Sequence, residues 1–140
     1  MKKLMAVLLM AGLAVQVNAA EWLTDLPKAL EKAKTEKKLV MMEFTGSDWC
    51  PPCKALHKNV MTSPEFEAYA STNLVLVELD FPHKKEQSAE LKKSNAALAE
   101  KYKIEGYPTV IVLDENGKEL SKDVGYGGEK PEQFIEKLKK

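Results

Sequence analysis

Glu43-Phe-Thr-Gly-Ser-Asp-Trp-Cys-Pro-Pro-Cys-Lys54 joins a short apolar run to a helical pattern, and its reading sets the layout of the rest of the chain. Leu39 to Phe44 has strand length and reads as a buried strand that ends at Thr45 and Gly46. Its carboxyl end runs straight into Trp49, Cys50, Pro51, Pro52 and Cys53. Beyond them Leu56, Val60 and Met61 recur at helical spacing. Prolines in a first turn remove only N–H groups that the helix leaves unused, so Pro51 and Pro52 mark a helix start. The two cysteines therefore fall at the mouth of a helix that follows a strand.

That placement suits thiol-disulfide chemistry. The first amides of a helix lack partners and carry partial positive charge, which stabilises a thiolate set there. Cys50 is expected to be that exposed, nucleophilic sulfur, with Cys53 close enough to bond to it as a redox disulfide. Attack by Cys50 on a substrate disulfide gives a mixed disulfide, which Cys53 then resolves. A metal site is the competing use of such a pair. His57, four residues after Cys53, would make a third ligand, but a closed zinc site wants four and His83, the other histidine, falls in a loop. No metal and no cofactor are expected.

Outward from this stretch, Leu26, Ala29, Leu30 and Ala33 predict a first helix capped by Thr24 or Asp25, with Pro27 in its first turn. Ser63 and Pro64 break the helix after the cysteines, and it restarts before Phe66 and Tyr69. Leu74 to Leu79 reads as a second strand closed by Asp80, Phe81 and Pro82. A lysine-rich segment at Lys84 and Lys85 is expected to open a long helix carrying Ala89, Leu91, Leu98 and Tyr102. Thr109 to Leu113 is a third strand. Asn116-Gly117 predicts a hairpin into a fourth, from about Lys118 to Val124. Pro131 starts a last helix with Phe134, Ile135 and Leu138 inward. The order implies an α/β fold with a mixed four-stranded central sheet and helices on both faces.

The chain's 140 residues suit one domain. Lys2 and Lys3, the apolar run Leu4 to Val17, and Asn18-Ala19-Ala20 read as a secretory signal peptide over residues 1–19, cut after Ala19. The expected mature unit is residues 20–140, in the periplasm or another extracytoplasmic compartment. Lysines and acidic residues balance at 21 each over the chain. The lysines are scattered without interleaved aromatics, so no nucleic-acid partner is expected. With two cysteines three apart, a bridge would constrain the unfolded chain very little, so the pair matters for its chemistry.

The Glu43–Lys54 stretch, together with Lys101-Tyr-Lys-Ile-Glu-Gly-Tyr-Pro-Thr-Val110, resembles the thioredoxin superfamily. Within it, the chain is similar to exported bacterial thioredoxin-like proteins related to the carboxyl-terminal domain of DsbD. The resemblance covers the chain from about Leu39 onward and implies a thioredoxin fold. It also implies that Pro108 is a cis-proline facing the dithiol and that Tyr107 offers backbone groups to an extended substrate. Trp49, Pro51 and Gly125 would flank the same shallow peptide-binding surface. The family's buried acid behind the dithiol is matched by Glu43, with one extra residue before Cys50. If buried, Glu43 would have a raised pKa and accept the proton of Cys53; an edge-facing Glu43 would not. Glu78 stands where the family often has a lysine.

The function expected is an exported thiol-disulfide oxidoreductase, a protein-disulfide reductase or electron-transfer thioredoxin. Its partners would be disulfide-containing proteins and a separate redox donor, soluble or membrane-embedded, with the mature chain monomeric and soluble. A disulfide-forming oxidase is the nearest rival. A redox-silent peptide- or metal-binding module belongs to a different class.

Overall fold

The computed structural model describes residues 19–139. The predicted signal segment lies outside the described residues except for its last residue, Ala19. Five helical stretches and five strands follow one another: β1 (Trp22–Leu23), α1 (Leu26–Glu36), β2 (Leu39–Thr45), α2 (Pro51–Leu56), α3 (Pro64–Asn73), β3 (Leu74–Asp80), α4 (Ala89–Lys101), β4 (Thr109–Leu113), β5 (Glu119–Val124) and α5 (Pro131–Leu138). The sheet order is β1-β3-β2-β4-β5. β1 and β2 run parallel to β3, while β2–β4 and β4–β5 are antiparallel. The sheet thus has five strands rather than the four expected. β1 pairs only Trp22 with Leu76 and Leu23 with Val77, and two residues carry no periodicity that a sequence could show.

The central strands β2, β3 and β4 are buried on both faces, and their period of two sorts residues between two cores. Val40, Met42 and Phe44 of β2 join Val75, Val77 and Leu79 of β3 in the core that takes Leu26, Ala29 and Ala33 of α1. Met41, Leu74, Leu76, Val110 and Val112 line the opposite face, under Leu56 of α2, Phe66 and Ala70 of α3, and Phe134, Ile135 and Leu138 of α5. Phe66 and Phe134 meet edge to face at 6.2 Å between ring centroids, an arrangement favoured by the ring quadrupoles. By the same alternation Glu43 and Glu78 share the α2-covered face with Met41 and Leu76.

Helix ends follow the local chemistry. Asp25 caps α1 by accepting from the Lys28 amide at 3.0 Å, and Ser63 caps α3 by accepting from Phe66 at 3.2 Å. After α2 the chain continues as one π-helical turn, His57–Met61, in which the Thr62 amide reaches back to the His57 carbonyl at 3.2 Å. Gly117 turns the β4–β5 hairpin at φ 85°, a left-handed conformation that glycine adopts without steric cost.

The helix expected to open at Lys84 and Lys85 begins later, at Ala89, with Ser88 as its cap. The amides of His83, Lys84 and Lys85 are already used by the Asp48 carboxylate, at 2.9, 2.7 and 2.9 Å. They make a strap rather than a first turn.

Candidate active site

The carboxyl end of β2 delivers the chain to the dithiol through a tight turn. Both Trp49 and Cys50 donate their amides to the Gly46 carbonyl, at 3.2 and 2.9 Å. Cys50 is the N-cap of α2, with extended backbone (φ −90°, ψ 107°), and its sulfur accepts the Cys53 N–H at 3.4 Å. Pro51 and Pro52 open the helix and leave that amide as the donor facing the sulfur. The two cysteines are joined as a disulfide with Cα atoms 5.3 Å apart.

One expectation is corrected in this oxidised state. Cys50 was expected to be exposed, yet it is 3% accessible against 1% for Cys53. Its sulfur is occupied by Cys53 and turned onto the first turn of α2, so attack from outside needs a partner that fits closely against the turn.

Around the dithiol sits an aromatic group. Trp49 stacks on His83 with centroids 4.4 Å apart and an interplanar angle of 5°, and meets Tyr107 edge-on at 5.8 Å. Tyr107 also contacts Phe81 at 5.4 Å. The Trp49 Nε1 donates to the Phe81 carbonyl at 2.7 Å. The Tyr107–Pro108 peptide bond is cis. Gly125, at φ 87°, donates its amide to the Pro108 carbonyl at 2.7 Å. The residues that the sequence marks as flanking a peptide surface, Trp49, Tyr107, Pro108 and Gly125, are thus linked in pairs by these contacts.

Behind the dithiol a cavity of about 330 Å³ is lined by Glu43, Thr45, Ser47, Cys53, Lys54, His57, Glu78 and Lys85. Glu43 is buried, at 3% exposure, which decides between its two expected settings. Its Oε1 has no hydrogen-bond partner. Burial, then the charges of Glu78 and Asp80, push its pKa up to about 8. At neutral pH the carboxyl holds its proton. Glu78 is its register partner on β3. Burial raises the Glu78 pKa, Asp80 adds to this, and His57 and Lys85 pull it down. His57 is exposed and opens on the same cavity. Among the described residues no group of three or more His, Cys, Asp or Glu is placed to hold a metal ion.

The strap has no counterpart among the sequence-based expectations. Besides the three amides held by Asp48, Ser47 donates its amide to Asp80 at 3.0 Å, and Lys85 reaches the Ser47 hydroxyl at 3.0 Å. Hydrogen bonds to its ionised form hold Asp48 at a pKa of about 2, the His83 amide contributing most. The available signal was the Ser-Asp-Trp run before Cys50, three residues able to bond sideways from a turn.

A family model described as Thioredoxin-like domain matches residues 26–140. The chain belongs to the thioredoxin-like family. It is 38% identical over 95 residues to the Disulfide bond reductase DsbH of Chlamydia pneumoniae, covering 68% of this chain and 57% of that protein. It is 33% identical over 104 residues to the Thiol:disulfide interchange protein DsbD of Haemophilus ducreyi, covering 74% of this chain and 17% of that one. The chain therefore spans little more than half of the first relative and a small part of the second. Among solved structures, a DsbH oxidoreductase superposes with a TM-score of 0.77 at 33% identity, over 86% of this chain and 85% of that one. The DsbD branch of the resemblance and the thioredoxin fold both stand on these matches.

Proposed function

We propose that this thioredoxin-like chain is an exported protein-disulfide reductase or electron-transfer thioredoxin, with Cys50 as nucleophile and Cys53 as resolving thiol. The observation that carries the reading is the Cys50 sulfur at the N-cap of α2, accepting the Cys53 amide within a closed disulfide. Reduction of that bond leaves a sulfur at the N-terminus of α2 that accepts the Cys53 amide, which favours the thiolate. Trp49, Pro51, Tyr107, Pro108 and Gly125 form the surface that holds an extended substrate segment. Glu43 exchanges a proton with Cys53. The direction, reduction rather than oxidation, draws support from the printed name of the relative DsbH. A separate thiol donor, in the membrane or soluble, recharges the dithiol, and its disulfide-bearing protein substrates lie in the exported compartment. Export rests on Lys2, Lys3 and the apolar run after them.

Two measurements test it. Cys53→Ser, expressed in an exported compartment, should accumulate mixed disulfides through Cys50, and their absence would overturn the enzyme reading. Redox titration of the wild-type pair should give a potential near the roughly −270 mV of thioredoxins; one near about −120 mV would make the protein an oxidase instead.

A further inference from the structure

Glu43 and Glu78 lie side by side on adjacent parallel strands, in register and on the sheet face that α2 covers. Acidic residues at paired positions repel when both are ionised, and burial on one side makes the repulsion costly. Nothing in the sheet neutralises them directly: the partner of Glu43 on β4 is Val110. The Glu43 Oε1 is buried and unpaired, so the carboxyl has no hydrogen-bonding duty in holding the sheet together. It opens instead on the cavity that also touches Cys53.

Glu78 differs from its neighbour in one respect. It is half-buried and lines two cavities, the one at Cys53 and a second of about 310 Å³ that includes Thr24, Asp80, Lys85 and Asn95. It is the more exposed of the two carboxyls. The charged and titratable groups facing the pair are Cys53, Lys54 and His57 from the α2 side, Asp80 from β3, and Lys85 and Glu86 from the strap and the segment after it.

We propose that Glu43 and Glu78 form an acidic pair in which the charge of Glu78 keeps a proton on Glu43 for the Cys53 sulfur, with the cavity lined by His57 and Lys85 as the route to solvent. This rests on the thiol-exchange reading above and assigns Glu78 as a positioning residue within it. When a donor thiolate attacks, a bond forms to the Cys50 Sγ, the Cys50–Cys53 bond breaks, and the Cys53 sulfur leaves with the electron pair. Glu43 gives that sulfur its proton. A second donor thiolate then displaces the first from Cys50, leaving the Cys50 thiolate and an oxidised donor.

In the other half-cycle a substrate disulfide is opened by Cys50. The Glu43 carboxylate takes the proton of Cys53, the Cys53 sulfur bonds to Cys50, and the substrate sulfur leaves with the electron pair and is protonated by solvent. Each turn thus moves the same proton out and back. A negative charge at Glu78 sets the pH at which Glu43 can hold it.

The test follows the protonated carboxyl directly in the oxidised protein, by infrared difference spectroscopy against pH, with Glu43→Gln identifying its band. In the wild type the band should persist through neutral pH. Glu78→Gln should move its loss to lower pH by about one unit, and Glu78→Lys further, because the neighbouring charge is first removed and then reversed. The pH dependence of disulfide reduction by a small dithiol should shift with it. A band midpoint unmoved in both Glu78 variants would overturn the proposal. This titration needs no turnover, so a failure of the pair and a failure of the reductase reading are separately visible.

Discussion

Trp49 donates its indole Nε1 to the carbonyl of Phe81 at 2.7 Å, tying the residue before the dithiol to the loop that follows β3. The stack of Trp49 on His83 reinforces the same connection. Because the ring fixes both the strap and one side of the proposed substrate surface, its position is a structural requirement of the site.

That position depends on Gly46. A Cβ there would lie 2.4 to 2.7 Å from three atoms of the Trp49 ring, which must then move. Gly46→Ala should destabilise the fold by ~1–3 kcal/mol, the range for overpacking a filled site. Urea unfolding measures this, and a midpoint equal to the wild type would show that the ring is free to shift.

Asp48 should control the order of the strap. Its carboxylate accepts from three successive amides, and its lowered pKa means that this contribution is complete above the ordinary carboxylate range and lost as pH falls through about 2. In Asp48→Ala at neutral pH, hydrogen-exchange protection of His83, Lys84 and Lys85 should drop roughly tenfold, while strand amides stay protected. Unchanged protection would mean that the strap is held from elsewhere.

Glu43 should make the oxidised protein less stable as pH rises. Its pKa is raised from an ordinary 4.5 to about 8 in the fold, so between those values the native state binds a proton that the unfolded chain has lost. Stability therefore falls across that window. Glu43→Gln removes the dependence, and its stability relative to the wild type should increase steadily from pH 5 to pH 8. Parallel curves for the two proteins would place the carboxyl in contact with water.

Lys37 ends α1 in the left-handed region, at φ 54° and ψ 49°. Lys37→Gly relieves the contact between Cβ and backbone at a helix end where glycine is preferred, and should stabilise the protein by about 0.5–1 kcal/mol. Thermal unfolding reads this as a small upward shift; a downward one would show that the lysine side chain contributes more than its backbone costs.

Much of the fold is legible locally. The β-branched run Thr109–Leu113, the Asn116-Gly117 turn and the apolar run Leu39–Phe44 each impose one conformation through sterics and burial. The cap of α1 is narrowed by sequence to Thr24 or Asp25, of which the structure uses Asp25, and Ser63, read as a break, caps α3. β1 is not legible, since two residues become a strand only because β3 offers an unpaired edge. The late start of α4 was equally hidden: Lys84 and Lys85 suit a helix by composition, and only a carboxylate 36 and 37 positions earlier diverts their amides.

The same division runs through the site. The residues around Cys50 and Cys53 determined by themselves that a sulfur pair would cap a helix, because proline and N-cap chemistry act over a few residues. Which acid lies buried, which acid stands beside it and which loop closes over Trp49 were decided by strand register and sheet order. Those contacts join positions some 30 residues apart, and their energies exist only once the two faces of the sheet are covered.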